Sequence, residues 1–292
     1  MMMRTMGWVG MFGVLLVTAA SAQEGERRPG QEVLEHTHGD STGVLTLPAD
    51  WAAAPTPFGP GERLEYQVKL GIFSVGDGYM EVSGVDTVRG SPAYHATMGL
   101  DAGIPLARVK DEFHTWFDIR NLVSHRFIQD VNEVSYHAFR HFEMNRDERR
   151  WERVDNGESG PLGSALPLDD ISFVYFLRTM PLEVGKTYTL NRYFKDEGNP
   201  VVIEVVRRDR REVPAGTFNT IVVRPTIRTK GLFSEGGNAE IHFTDDDRRL
   251  MVYLRSEIPG FQSITLHLRN IQEGLPLNPD ARAAAEARIP NP

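Results

Sequence analysis

Cysteine is absent from the 292 residues. That excludes disulfide bonds and leaves no thiol to carry a lipid at a processed N-terminus, so the fold rests on its core alone. Positive charge is in deficit: 32 Lys and Arg stand against 40 Asp and Glu, a formal net charge of −8. A globally anionic partner, such as nucleic acid or an acidic membrane surface, is disfavoured, although local basic patches are not. Long apolar runs are missing as well. The run from Trp8 to Ala20 has 13 residues and as a helix reaches roughly 20 Å, short of the roughly 30 Å hydrocarbon core. No GxSxG elbow, HExxH helix, phosphate-cradling glycine loop or obvious repeat occurs. An enzyme reading therefore has no positive support, though 40 acidic residues always allow some carboxylate pair after folding.

What is present begins with an export leader. Arg4 precedes the apolar run, and Ala20-Ser21-Ala22 offers an A-x-A cleavage site before Gln23. Residues 1–22 are read as a signal peptide. Their removal takes one basic and no acidic residue, leaving 270 residues at a net charge of −9, which is ample for a sizeable core. Residues 23–60 are rich in Pro, Gly, Glu and Thr with little apolar periodicity and read as a flexible lead-in. Within it, His36-Thr37-His38-Gly39-Asp40-Ser41 has two histidines and an aspartate but no fixed fourth ligand for a metal. Its Gly39-Asp40-Ser41 piece lacks the preceding strand and downstream Asp-x-x-His of a hydrolase nucleophile block, and is read as chance.

From Gly61 the rhythm turns to period two. Leu64, Tyr66, Val68 and Leu70 alternate with Arg63, Glu65, Gln67 and Lys69, the mark of a half-buried strand. A bend over Gly71 to Gly78 leads to strands at Tyr79 to Val85 and Ala93 to Met98, then Arg108 to Asp118 and Leu122 to Val131. A strand from Glu133 to Met144 carries aromatics on both faces, and Arg149 to Asp155 ends at an Asn156-Gly157 turn. One stretch breaks the pattern. Asp169 to Arg178 reads as a short helix, capped by Asp169 or Asp170 and stopped by Pro181 and Gly185, with apolar residues in nearly every helical direction. Such a helix needs to be enclosed. Strand rhythm then resumes at Lys186 to Phe194, Val201 to Arg208, Thr220 to Ile227, Asn238 to Thr244, Arg248 to Glu257 and Gln262 to Ile271. Pro214 and Gly216 suit a bulge or tight bend. In the tail, Asp280 to Arg288 makes a short helix with Asn278 as cap and Pro279 at its first position.

Several blocks together resemble a known family: Gly61-Glu62-x-Leu64-x-Tyr66, Asp170-x-Ser172 through Tyr175-x-x-Arg178-x-x-Pro181-Leu182-x-x-Gly185, Val213-Pro214-Ala215-Gly216-Thr217-Phe218, and Asp245-Asp246-x-Arg248-Arg249. Over roughly Phe58 to Ile271 the chain is similar to the bacterial envelope family called domain of unknown function 3108. The resemblance implies an exported β-rich domain related in shape to the lipoprotein-carrier fold, a curved sheet over an apolar hollow. It implies no activity.

Other polar clusters have bland explanations. Asp245-Asp246-Asp247 lacks calcium-loop spacing and reads as a solvated turn. Arg207, Arg208, Arg210 and Arg211 are read as a wet strand edge, with grip on a phosphate or acidic headgroup as the alternative. His137 and His141, four apart in a strand, lie about 13 Å from one another, too far to share an ion. Asp170 and Ser172 are read as helix caps. Arg178 either ties the helix to a strand or pairs with an anionic ligand head at the mouth of the hollow.

The expected fold is mainly β: a large, strongly curved antiparallel sheet or open barrel of about a dozen strands, with one central helix and a short C-terminal helix. One domain spans 61–273, and 274–292 form a tail. The expected role is that of an exported, non-catalytic cell-envelope protein, periplasmic or extracellular, whose hollow takes a lipid-like or other hydrophobic ligand. Tyr66, Trp116, Tyr136, Phe173, Phe176 and Arg178 are assigned to contact that ligand; Asp170, Ser172, Pro214 and Gly216 are structural. No cofactor, metal, nucleic acid or transmembrane segment after cleavage is expected. The rivals are an envelope hydrolase with a carboxylate or metal centre and a structural or assembly partner at the outer membrane.

Overall fold

The computed structural model describes residues 53–104, 107–134, 136–228, 239–257 and 263–287. The leader, the block from His36 to Ser41 and most of the lead-in lie outside them. In chain order the first strands are β1 (Arg63–Leu70), β2 (Phe73–Val88), β3 (Ser91–Ile104), β4 (Ala107–Asp118), β5 (Ser124–Glu133), β6 (Tyr136–Asn145), β7 (Arg150–Arg153) and β8 (Ser159–Pro161). Helix α1 (Asp170–Leu177) follows, then β9 (Thr187–Leu190), β10 (Val201–Val213), β11 (Gly216–Thr226), β12 (Glu240–Thr244), β13 (Met251–Ser256), β14 (Ile264–Gln272) and α2 (Pro279–Glu286).

All fourteen strands join one sheet in the order β8-β7-β6-β5-β4-β3-β2-β1-β14-β13-β12-β11-β10-β9. Each consecutive pair is antiparallel, and the long-range pairing of β1 with β14 sews two meanders together. The sheet is open, since β8 and β9 do not pair with each other. Its break is spanned instead by irregular segments: Gly163 N donates to Phe194 O at 2.9 Å, and Leu168 exchanges bonds with Arg192 and Phe194.

Alternation fixes which face is inside. In β1, Leu64, Tyr66 and Val68 are buried while Arg63, Glu65 and Gln67 are only half covered. The inner face takes α1, whose side chains pack among Phe58, Tyr94 and Phe117. On the outer face of β2 to β5 a small second cluster, Val88, Ala93, Trp116 and Ile128, is also buried.

Where the sequence suggests a bend over Gly71 to Gly78, the turn is only two residues and β2 starts at Phe73. The glycines serve close approach: a Cβ on Gly76 would come within 2.1 Å of the Asp101 carbonyl oxygen. Pro214-Ala215 forms the tight two-residue turn between β10 and β11, with Gly216 at φ 132°. The arginine run of β10 lies mostly beyond the four residues that β9 covers, Val201 to Glu204, and is therefore edge-like. Arg207 pairs with Glu240 and Arg208 with Asp245, which ties half of the run to neighbouring carboxylates. Helix α2 starts at the anticipated cap, Asn278, whose amide also donates to Ala53 O at 3.0 Å.

Candidate functional site

The helix is pinned at both ends. Asp169 is the N-cap and receives the Ile171 and Ser172 amides on one oxygen. Its second oxygen receives the hydroxyls of Thr115 and Ser124, both at 2.6 Å. The Ser172 hydroxyl receives the Asp169 amide, closing a capping box. Burial raises the Asp169 carboxyl even against these donors. Asp170 sits next to it, buried, with Tyr193 donating to Oδ1 at 3.1 Å. Burial first, then the charge of Asp169, pushes Asp170 up to about 7. At the other end Arg178 is fully buried and forks onto both carboxylate oxygens of Glu62, at 2.5 and 2.8 Å, with Arg248 O as a further acceptor at 3.2 Å.

The residues assigned from sequence to a single hollow are distributed over four places. Tyr66, Phe173 and Arg178 share the closed core, where the Tyr66 hydroxyl donates to Met251 O at 3.0 Å. Phe176 is half-buried under the Arg192 guanidinium, 4.4 Å from its ring centre. Trp116 lies on the outer face, stacked on His95 with ring centres 4.2 Å apart and donating to Asp86 at 2.8 Å. Tyr136 stands at the start of β6, 39% exposed, and its oxygen accepts from Arg140 at 2.5 Å. Asp170 and Ser172 head the helix, and Pro214 and Gly216 flank a turn.

The inner face also carries polar residues that sequence reasoning missed. Along β4, Asp111 continues the inward series Thr115 and Phe113 beyond the helix, about 13 Å from Thr115 along the strand. Gln129 and Glu133 share the inward side of β5 with Val131, and Arg140 and Tyr136 that of β6 with Ala138. Asp111, Gln129, Glu133 and Arg140 are all buried. The signal was there in parity: a polar residue in the same phase as Phe113, Phe117 and Phe127 must face the core side.

Within this group Gln129 keeps an unmet donor. Asp111 Oδ1 accepts the Asn132 amide at 2.9 Å, and the Asp111 carboxyl interacts with that of Glu133, so the two acids can bond only by sharing a proton. Burial, reinforced by Glu133 and opposed by the Asn132 amide, lifts Asp111 to about 7. Gln129 Oε1 accepts from Arg140 at 3.3 Å, whereas Gln129 Nε2 is buried without a partner. Among the described residues no group of three or more His, Cys, Asp or Glu side chains could hold a metal ion. A depression of about 650 Å³ lies on the outer face between β1 and β5; of the cations lining it, Arg63 and Arg269 are paired with Glu81 and Asp77.

Comparison with known proteins adds a family and two solved structures. The profile of a family described as "Protein of unknown function (DUF3108)" matches residues 65–269. No curated protein matches the chain. A Bacteroides fragilis protein, described as exported and of YmcC-like fold, is 11% identical over 76% of this chain and 100% of its own, with a TM-score of 0.28. A Parabacteroides distasonis protein described as a lipoprotein is 9% identical over 75% of this chain and 99% of its own, again at 0.28. Neither superposition is close enough for its fold to be equated with this one. No helix among the described residues is long and apolar enough to cross a membrane.

Proposed function

The chain belongs to the family of unknown function DUF3108, and from that premise we propose that it is an exported, non-catalytic cell-envelope protein that holds a hydrophobic, lipid-like ligand against the inner face of its curved sheet. Export is supported by the leader over residues 1–22, so that the mature protein begins at Gln23, ahead of one domain over 61–273. One observation carries the ligand reading. Beyond α1, the apolar inner face holds Gln129 with a buried amide donor that nothing in the described protein satisfies. Native interiors rarely leave such a group unpaired, and a bound molecule is a natural partner for it. The test is reconstitution: delipidated protein is incubated with envelope extract, reisolated and extracted for mass spectrometry. A stoichiometric amphiphile is the expected result, and protein that returns none ends the reading.

A second reading has one observation behind it. The Asp111–Glu133 pair, sharing a proton in a buried setting, has the form of an acid–base dyad. That supports a hydrolase with a carboxylate centre. A broad hydrolase screen on the wild type and on Asp111→Asn decides: turnover lost in the variant favours the enzyme, and its absence in both favours the binding protein.

A further inference from the structure

Within the binding reading just given, on which this inference rests, we infer that the inner-face cluster of β4 to β6 selects the neutral acyl ester of a lipid by its carbonyl oxygen. The argument starts from Arg140. A guanidinium has only donors, so the atom of Gln129 it meets at 3.3 Å must be Oε1. This orients the amide and turns Nε2, a donor, away from Arg140 into buried space where it has no partner. The same guanidinium donates to the Tyr136 oxygen at 2.5 Å, which leaves the phenol proton to be given elsewhere. Gln129 and Tyr136 are thus bridged by one cation and both present donors. A ligand atom that satisfies them is an acceptor oxygen.

Charge narrows the class. Arg140 brings one positive charge, and Asp111 and Glu133, when they share a proton, bring one negative charge. The cluster is balanced without the ligand. A carboxylate head would add an anion beside the acid pair, and an ammonium head would set a cation and more donors against Gln129 and Arg140. A neutral carbonyl meets neither penalty. The apolar side chains among these polar groups are Val131, wholly buried, and Val109 and Ala138, partly buried against the core, a lining that suits the apolar chain such a carbonyl carries.

The experiment uses the full mature protein, delipidated and loaded with the neutral dye N-phenyl-1-naphthylamine, and measures displacement at pH 6.5 by four probes of equal chain: methyl laurate, laurate, dodecylamine and dodecane. Methyl laurate is expected to displace the dye at about fivefold to tenfold lower concentration than dodecane, the worth of one or two net hydrogen bonds. Laurate and dodecylamine should both be weaker than the ester. Gln129→Met, similar in length and free of donors, should bring methyl laurate to the level of dodecane and leave dodecane unchanged. Tyr136→Phe, at a part-exposed site where folding is not at stake, should weaken the ester about threefold with dodecane again unchanged. Tighter binding of laurate or dodecylamine, or unchanged ester binding in both variants, overturns the assignment of the head and leaves the hydrophobic site standing. Dye that never binds, with no probe retained, overturns the site itself.

Discussion

Arg178 and Asp111 both take an ionisable group into the interior, and they settle it in opposite ways. Arg178 remains charged because Glu62 meets it fork to fork, with both side chains almost wholly covered. A buried pair of this kind adds little over an apolar pair of the same volume, yet removing one partner strands the other. Glu62→Gln should therefore lower unfolding free energy by about 3 kcal/mol in urea titration, and Arg178→Met by a similar amount. The double variant Glu62→Leu with Arg178→Met should be more stable than either single one; a double loss equal to the sum of the singles would mean that the pair is not coupled. Asp111 and Asp170 instead retain protons, each lifted to about 7 chiefly by burial. The unfolded chain releases those protons near pH 3.9. Between about pH 4 and 7 the native state thus binds more protons, so their contribution to stability falls as pH rises and is level above that window. Against burial, Glu143 is held near 2 by the His141 hydrogen bond and then by Arg126 and Arg89, and Glu240 by Arg207 and Arg224; both act below it. Asp111→Asn should flatten the decline: the fall in midpoint temperature from pH 5 to pH 8 should be smaller than in the wild type, and an equal fall in both would show that Asp111 titrates normally. The cap was legible to within one residue, as Asp169 or Asp170 with Ser172, because caps are local; Asp169 takes it, and Asp170 is the first helical residue. Asp111 and Glu133 were not legible, because an acid in a strand ordinarily faces water and only its phase relative to Phe113 and Val131 shows otherwise.

At the level of the element, eight residues make too short a helix to stand alone in water. What holds α1 is its cap and its enclosure: every residue from Asp170 to Leu177 except Phe176 is buried. Its nearly uniform apolar surface made that enclosure readable before any fold was known, since no amphipathic stripe marks an outer side. The sequence did not say what encloses it. That depends on Phe58, Tyr94 and Phe117, which converge from well upstream, and Phe58 falls in a stretch that reads as lead-in. A permanent plug and a movable lid differ in one measurable respect. Phe173→Ala should cost about 3 to 5 kcal/mol in chemical denaturation, as large-to-small changes in closed cores do. Phe176→Ala, which removes the Arg192 stack and a partly buried core contact, should cost less, about 1 to 2 kcal/mol. A small loss at Phe173 accompanied by altered dye uptake would identify α1 as a lid. The neighbouring β2 shows the converse limit of reading: Gly76 and Gly78 looked like punctuation, whereas they let adjacent strands approach without a side chain between them.

For the whole molecule, strand count was nearly legible and pairing was not. Period two marked most strands, including β9, whose four residues lie within Lys186 to Phe194, but β8 has only three, too few to show a rhythm. Both are the edges of the sheet, and short edges offer little template for pairing with another chain. Whether the sheet closes was undecidable from sequence because closure depends on the seam, which is not strand at all. There Asn199 Nδ2 donates to Gly163 O, Tyr193 O and Lys195 O, and the Phe194 ring sits edge-on to Phe142 of β6 with centres 5.3 Å apart. Gly163 is the tight point. A Cβ there would lie 2.5 Å from Asp196 N and 2.6 Å from Lys195 C, backbone atoms that no rotamer change can move. Gly163→Ala must therefore part the seam, at a cost of about 1 to 3 kcal/mol by analogy with overpacked interiors. Hydrogen exchange tells whether the seam belongs to the core. Because Tyr193 is bonded to Asp170 at the head of α1 and Phe194 is packed on β6, the Leu168 and Phe194 amides should be protected as well as those of β3 and β4. In Gly163→Ala, protection should then fall together across sheet and seam. Loss confined to Leu168 and Phe194, with β3 and β4 unchanged, would instead mark the seam as an independently opening edge and the molecule as a half-barrel that can spread.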